Sequence, residues 1–187
     1  MRQPSALALI VLAAALLPLA ARAQSVTVLG AGRLAEECSR AARVGRASDD
    51  AVAMCTLSIA SEPLTGRELA GTYVNRGVLK LIAAEYPAAE ADFDLAVATD
   101  PSIGESFVNR GAARIAQRRY REGLDDLDHG LTLHPGEPEK AYFNRAIARE
   151  GLGDVPGAYA DYRTAAGLKP GWTAPVAELA RFTVSRR

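Results

Sequence analysis

The chain has 187 residues, room for one or two domains, and its 22 Lys plus Arg balance 22 Asp plus Glu, so it carries no net charge. That balance excludes a nucleic-acid binder relying on a basic stripe, and a hydrophobic content of 49% excludes an acidic disordered chain. Only 6% of residues are aromatic and the hydrophobic count leans on Ala, which suits close-packed helices better than sheets.

Residues 1–23 read as a cleaved signal peptide. Arg2 supplies a short positive region, and Ala6 to Leu17 is an unbroken apolar run too short for a comfortable membrane span. Ala21-Arg22-Ala23 then places small residues at the two positions a signal peptidase reads, with Gln24 as the new N-terminus. The competing readings of the run are an uncleaved anchor and a buried helix. No Cys stands at the cleavage point to take a lipid anchor. Loss of Arg2 and Arg22 leaves 20 basic against 22 acidic residues, a net charge of −2. A periplasmic or secreted chain follows, with a bacterial periplasm fitting best and no membrane insertion after cleavage. In such an oxidising compartment an even number of cysteines usually means a bridge.

Val26-Thr27-Val28-Leu29 followed by Gly30-Ala31-Gly32-Arg33-Leu34-Ala35 spells the strand, G-x-G-x-x-A, helix pattern of a dinucleotide site. Such a site sets a pyrophosphate on a helix N-terminus and needs a second strand ending in an acid roughly 20 residues on. Asp49 and Asp50 have that spacing, but Ser48-Asp49-Asp50 reads as the start of a helix, and no strand–helix–strand unit succeeds it. A cofactor enzyme built on Gly30–Ala35 is therefore the remote alternative, and the expectation is no cofactor.

Residues 24–66 read as a helical hairpin. Ala51, Ala53, Leu57, Ala60 and Pro63 match Ala89, Ala91, Leu95, Ala98 and Pro101 at an offset of 38, so this is a degenerate copy of the repeat in residues 67–171. In that register Cys38 lies on the first helix and Cys55 takes the place of Phe93 on the second, both pointing into one seam. A disulfide there staples the hairpin; two buried free thiols are the alternative.

Residues 67–171 repeat with a period of 34 or 35. Asn75-Arg76-Gly77 returns as Asn109-Arg110-Gly111 and as Asn144-Arg145-Ala146, and Pro101, Pro135 and Pro170 keep the same intervals. Each unit reads as two helices: about Leu69 to Ala84 and Pro87 to Ala98, then one to Gln117 and one from Tyr120 to Leu133. The last has one to Glu150 and one from Val155 to Gly167. Arg76 is followed after 16 residues by Asp92, Arg110 by Asp126 and Arg145 by Asp161. These six read as structural ion pairs within hairpins, because an unpaired buried charge is costly; three ligand-binding arginines are the other reading. In the degenerate unit Cys38 and Met54 occupy the matching places. Gly123 and Gly130 fall inside a helix at about 1 kcal/mol each against Ala, which marks the middle unit as the loosest.

Small and large residues recur in the same phase: Gly77, Ala89, Phe93, Ala96 and Pro101; Gly111, Gly123, Leu127, Gly130 and Pro135; Ala146, Ala158, Tyr162, Ala165 and Pro170. Aromatics stand near each unit's start as Tyr73, Phe107 and Tyr142. On these residues the chain resembles the tetratricopeptide repeat (TPR) family, in the form of an exported bacterial-type protein. The resemblance implies an all-α right-handed superhelix of antiparallel helical hairpins, with units at about 70–103, 104–138 and 139–172. A capping helix occupies 172–187, where Val176, Leu179, Ala180 and Thr183 share one stripe.

The resemblance also implies that the first helices line a concave groove. That groove comprises Val74, Asn75, Val78, Leu81, Val108, Asn109, Ala112, Ile115, Phe143, Asn144 and Ile147. Asn75, Asn109 and Asn144 resemble an asparagine ladder that holds a peptide backbone, since an amide both donates and accepts; local helix contacts are the alternative role. Val78, Ala112 and Ile147 stand where a clamp for a C-terminal carboxylate needs polar groups, which argues against that version. His129 and His134, with Asp125, Asp126 and Asp128 near, lack the spacing zinc prefers and read as a solvated face. No nucleophile elbow, paired carboxylates or phosphate loop appears, so no catalytic or metal residue is expected. The reading is a non-enzymatic adaptor or assembly factor that binds an extended peptide or amphipathic helix of another protein, not nucleic acid. A self-associating structural envelope protein is the alternative, and the oligomeric state stays open.

Overall fold

The computed structural model describes residues 7–11, 23–28 and 32–186, with the side chains of 7–11 and 183–186 left aside. Among these residues nine helices succeed one another: α1 (Arg33–Arg43), α2 (Asp49–Ser61), α3 (Gly66–Ile82), α4 (Tyr86–Thr99), α5 (Gly104–Ala116), α6 (Tyr120–Thr132), α7 (Pro138–Gly151), α8 (Val155–Leu168) and α9 (Thr173–Leu179). Two strands, β1 (Leu7–Val11) and β2 (Phe182–Arg186), pair antiparallel with Leu7 opposite Arg186 and Val11 opposite Phe182. Helices pack as four successive antiparallel hairpins, α1/α2 to α7/α8, with α3, α5 and α7 adjacent along one face. The result is a helical solenoid in which the degenerate unit is a full hairpin.

Local chemistry fixes the helix ends. Ser48 caps α2 by accepting from the Ala51 N–H, and Asp154 caps α8 by accepting from Gly157. Thr65 and Glu68 form a capping box that starts α3 at Gly66, three residues before the hydrophobic period announces it. Between the helices of the last three hairpins, Ala84, Arg118 and Gly153 occupy the same place with φ of 62°, 63° and 80°. That left-handed residue lets the Glu85, Arg119 and Asp154 N–H groups bond back to Lys80, Arg114 and Arg149 carbonyls at 2.9 Å.

The seams obey the small–large alternation. Phe93, Leu127 and Tyr162 hold equivalent places and are buried to 1% exposure or less. A Cβ on Gly77 would fall 2.5 Å from the Phe93 ring, so the glycine makes room for the aromatic. The middle hairpin is not slack, contrary to what its glycine content suggests. Gly111 and Gly123 bring α5 and α6 into backbone contact: a Cβ on Gly123 would lie 2.6 Å from Ile115 Cγ1 and 2.9 Å from the Gly111 carbonyl oxygen.

The C-terminal cap is shorter than the stripe over 172–187 implies. Helix α9 packs on α8 and ends at Leu179; Val176 is 58% exposed, while Pro175 and Glu178 are the buried residues. From Phe182 the chain is a strand, as Phe-Thr-Val favours extended backbone. Of the expected leader, Leu7–Val11 forms β1, whereas Ala21 lies outside the described residues.

Candidate functional site: the concave groove

Every expected groove residue, from Val74 and Asn75 to Asn144 and Ile147, is buried. The face is therefore not an open surface. Along it lies the chain's own segment Ala23–Val28, extended and without helix.

Two rungs of the asparagine ladder hold this segment by its main chain. Asn75 accepts from the Val26 N–H at 2.9 Å and donates to the Val26 carbonyl at 2.8 Å. Asn109 does the same for Gln24, accepting at 2.8 Å and donating at 2.6 Å. Each amide thus satisfies both main-chain groups of one residue, with the next rung two residues along, as the period of an extended chain requires. Lys140 Nζ donates to the Ala23 carbonyl at 3.0 Å, and the Ser39 hydroxyl donates to the Val26 carbonyl at 3.0 Å. The Gln24 side chain donates to the Glu137 carbonyl at 2.8 Å. Val26 and Val28 pack where α3 has Gly71: a Cβ there would sit 3.1 and 3.0 Å from their methyl carbons.

The third rung is different. Asn144 is fully buried, and neither its Nδ2 nor its Oδ1 has a hydrogen-bond partner among the described residues. Buried amides are nearly always paired, so this one stands out from its two counterparts.

The arginines lie on the other side of the same helices. Arg76 bonds Asp92 with Nε at 3.0 Å and with its terminal nitrogen at 2.6 Å. Arg110 forks onto Asp126 at 3.0 and 2.7 Å, and Arg145 onto Asp161 at 2.9 and 2.8 Å. Each third nitrogen also reaches back to the preceding hairpin: Arg110 to Asp94 at 2.9 Å, Arg145 to Asp128 at 2.7 Å, and Arg76 to Thr56 at 3.2 Å. One turn on, Lys80, Arg114 and Arg149 contact the same three aspartates at 2.8, 2.8 and 2.9 Å. Burial alone would lower the Arg110 pKa, but Asp126 and Asp94 outweigh it and hold the group charged. Tyr73, Phe107 and Tyr142 stack under the arginines at 5.6, 5.3 and 5.0 Å. Sequence reasoning missed the second cations and the back-reaching bonds, although the basic residue four places after each Arg is a visible signal.

A disulfide joins Cys38 to Cys55 with Cα atoms 5.0 Å apart, so neither thiol is free. The G-x-G-x-x-A segment has its own anion. The N–H groups of Leu34 and Ala35, at the start of α1, donate to the two oxygens of Glu62 at 2.9 Å each. Burial raises the Glu62 pKa, but the Ser58 hydroxyl and these two N–H groups prevail and hold it below the ordinary value. A carboxylate thus fills the helix terminus where a pyrophosphate would sit; Gly30 and Ala31 lie outside the described residues. Asp49 begins α2, not a strand end. His129 and His134 are exposed, with His129 edge-on to Phe107 at 4.3 Å, and no three His, Cys, Asp or Glu residues among those described could hold a metal. No helix among the described residues is long and apolar enough to cross a membrane.

No family model and no curated protein sequence matches the chain. Solved structures do match its fold. The Arabidopsis OM64 TPR domain is 21% identical, with a TM-score of 0.59 over 63% of this chain and 96% of that one. The second TPR domain of human RPAP3, in complex with the HSP70 peptide SGPTIEEVD, is 28% identical with a TM-score of 0.53, covering 58% and 89%. MamA is 16% identical with a TM-score of 0.61, covering 76% and 80%.

Proposed function

The chain is a tetratricopeptide-repeat solenoid, and on that fold we propose that it works as a non-enzymatic adaptor or assembly factor whose concave groove holds an extended segment of a partner protein. The observation that carries this reading is the pair Asn75 and Asn109, each exchanging two hydrogen bonds with the main chain of an extended segment. Main-chain contacts give affinity with little demand on sequence, and the apolar floor of Val74, Val108 and Phe143 adds burial. An amphipathic helix fits less well, because its main-chain groups are already bonded within the helix. The RPAP3 domain with its bound HSP70 peptide supports peptide binding on this fold. Here Val78, Ala112 and Ile147 leave the groove apolar where a carboxylate clamp needs polar groups. The Cys38–Cys55 bridge supports a periplasmic or secreted location, where disulfides persist.

A photoreactive amino acid at Arg67 or Lys140, which flank the two ends of the seated segment, tests the reading in living cells. Positions 78 and 112 are too buried to serve. The expected result is a partner crosslinked from both positions but not from exposed Arg163, and lost when Asn75 and Asn109 are both Ala. Capture equal to the Arg163 control, or indifferent to the asparagines, refutes it.

A further inference from the structure

Resting on that reading, we propose that residues 24–28 are a built-in competitor for the groove, displaced by a partner segment that runs the same way, is longer at its N-terminal side, and also engages Asn144. Asn75 holds residue 26 and Asn109 holds residue 24, a step of two residues, or about 6.6–6.8 Å of extended chain, per repeat. In a bound segment that continues the same step, the residue two places before the one held by Asn109 meets Asn144. That amide is fully buried and lacks both a donor and an acceptor partner among the described residues, whereas the other two rungs have both. The competitor thus fills two rungs of a three-rung site.

Tethering gives residues 24–28 an effective concentration of about millimolar, so an untethered segment needs an additional contact to win. The third rung supplies one. The seat also sets the partner's chemistry. Gly71 leaves space for β-branched apolar side chains at the places of Val26 and Val28. The place of Gln24 takes a side chain that donates to the Glu137 carbonyl, and Lys140 takes the main-chain carbonyl just before it. An extended strand with free N–H and C=O at alternate residues meets these terms; a proline at a rung position does not.

The test uses the chain from Gln24 onward and two N-acetylated, fluorescent peptides, a heptapeptide with the sequence of residues 22–28 and a pentapeptide with that of residues 24–28. Val26→Pro removes the N–H that Asn75 accepts and releases the competitor; Val26→Gly with Val28→Gly releases it by lost packing and serves should the proline variant misfold. Both are expected to bind the heptapeptide about tenfold tighter than the unaltered chain does. In either background, Asn144→Ala is expected to reduce heptapeptide affinity to that of the pentapeptide and leave the pentapeptide unchanged. Equal heptapeptide affinity in the released and unaltered chains overturns the competitor, and an Asn144→Ala change that affects both peptides alike, or neither, overturns the third rung. If the peptides fail while the asparagine-dependent crosslink persists, this inference falls and the adaptor reading stands. If the peptides behave as expected and no partner is captured, the reverse holds.

Discussion

Replacing Asn109 by Ala removes both bonds that hold Gln24, at 2.8 and 2.6 Å, in a site where Gln24 is 1% exposed. Each neutral hydrogen bond is worth about 1 kcal/mol net, and leaving the Gln24 N–H and carbonyl buried without partners costs further. The segment can instead leave the groove and hydrate, which caps the loss, so Asn109→Ala should destabilise by about 2 kcal/mol. Asn144→Ala at the equivalent place removes an amide that bonds nothing among the described residues. It relieves an unpaired buried group and leaves a small void, so the net effect should lie between zero and about 1 kcal/mol of stabilisation. Urea unfolding of the oxidised chain, monitored by far-ultraviolet circular dichroism, measures both, and hydrogen exchange at the Val26 amide reports the local effect. Exchange should accelerate in Asn109→Ala and stay unchanged in Asn144→Ala. If the two variants lose equal stability, the asparagines serve the helices rather than a seated backbone, and the ladder reading is wrong.

Gly123→Ala should destabilise by about 1 kcal/mol in the same urea assay, because overpacking against Ile115 and the Gly111 carbonyl exceeds the roughly 1 kcal/mol gained in helix propensity; a more stable variant would show the α5/α6 seam to be loose. Reducing the Cys38–Cys55 bridge, which closes 17 residues, should cost about 3 kcal/mol on the chain-entropy model, and an unmoved midpoint with dithiothreitol contradicts it. Arg110→Met strips Asp126 and Asp94 of a partner but leaves Arg114 on Asp126, so the loss of stability should be about 2–3 kcal/mol, and heptapeptide binding to the released chain should weaken by less than that, since Arg110 only aims Asn109; a larger loss of binding than of stability makes Arg110 a ligand contact. Glu62 has a lowered folded pKa, so its carboxylate stabilises the fold above the unfolded value of about 4.3 and ceases to as pH falls through the folded value. Glu62→Gln should therefore lower the melting temperature at pH 7, and the gap should narrow as pH falls below the ordinary carboxylate range; a gap that does not narrow on acidification rules out the charge as its cause.

Much of the scaffold was legible because the repeat prints the same residue at the same place. Phe93, Leu127 and Tyr162, or Arg76, Arg110 and Arg145, are constrained by identical packing three times over, and periodicity exposes what a single copy would hide. The occupant of the groove was not legible. Val26-Thr27-Val28 has the alternation of a strand, but alternation names no partner: the same residues suit a sheet, a dinucleotide fold or a side-chain ladder. The seat pairs Gln24 with Asn109 and Lys140 with Ala23 across 85 and 117 residues, contacts with no local signature. The end of α9 was misjudged for a related reason. Val176, Leu179, Ala180 and Thr183 satisfy a helical period, yet Phe182-Thr183-Val184 satisfies a strand as well, and the extended form prevails opposite Leu7–Val11.

The Asn-Arg dipeptide explains how one helix can serve both groove and scaffold. Adjacent residues on an α-helix point about 100° apart, since each turn takes 3.6 residues. Asn75, Asn109 and Asn144 consequently face the concave side, while Arg76, Arg110 and Arg145 turn toward the second helix of their own hairpin and of the hairpin before. Each arginine fixes the orientation of its helix by a forked bond to one buried carboxylate, and that orientation aims the neighbouring amide. The arginines therefore set the spacing of the rungs, and a two-residue step of extended chain matches it at Asn75 and Asn109. A ligand that is not extended presents its main-chain groups at another interval and meets at most one rung. On the adaptor reading, selectivity for conformation over sequence thus originates in ion pairs that never touch the ligand.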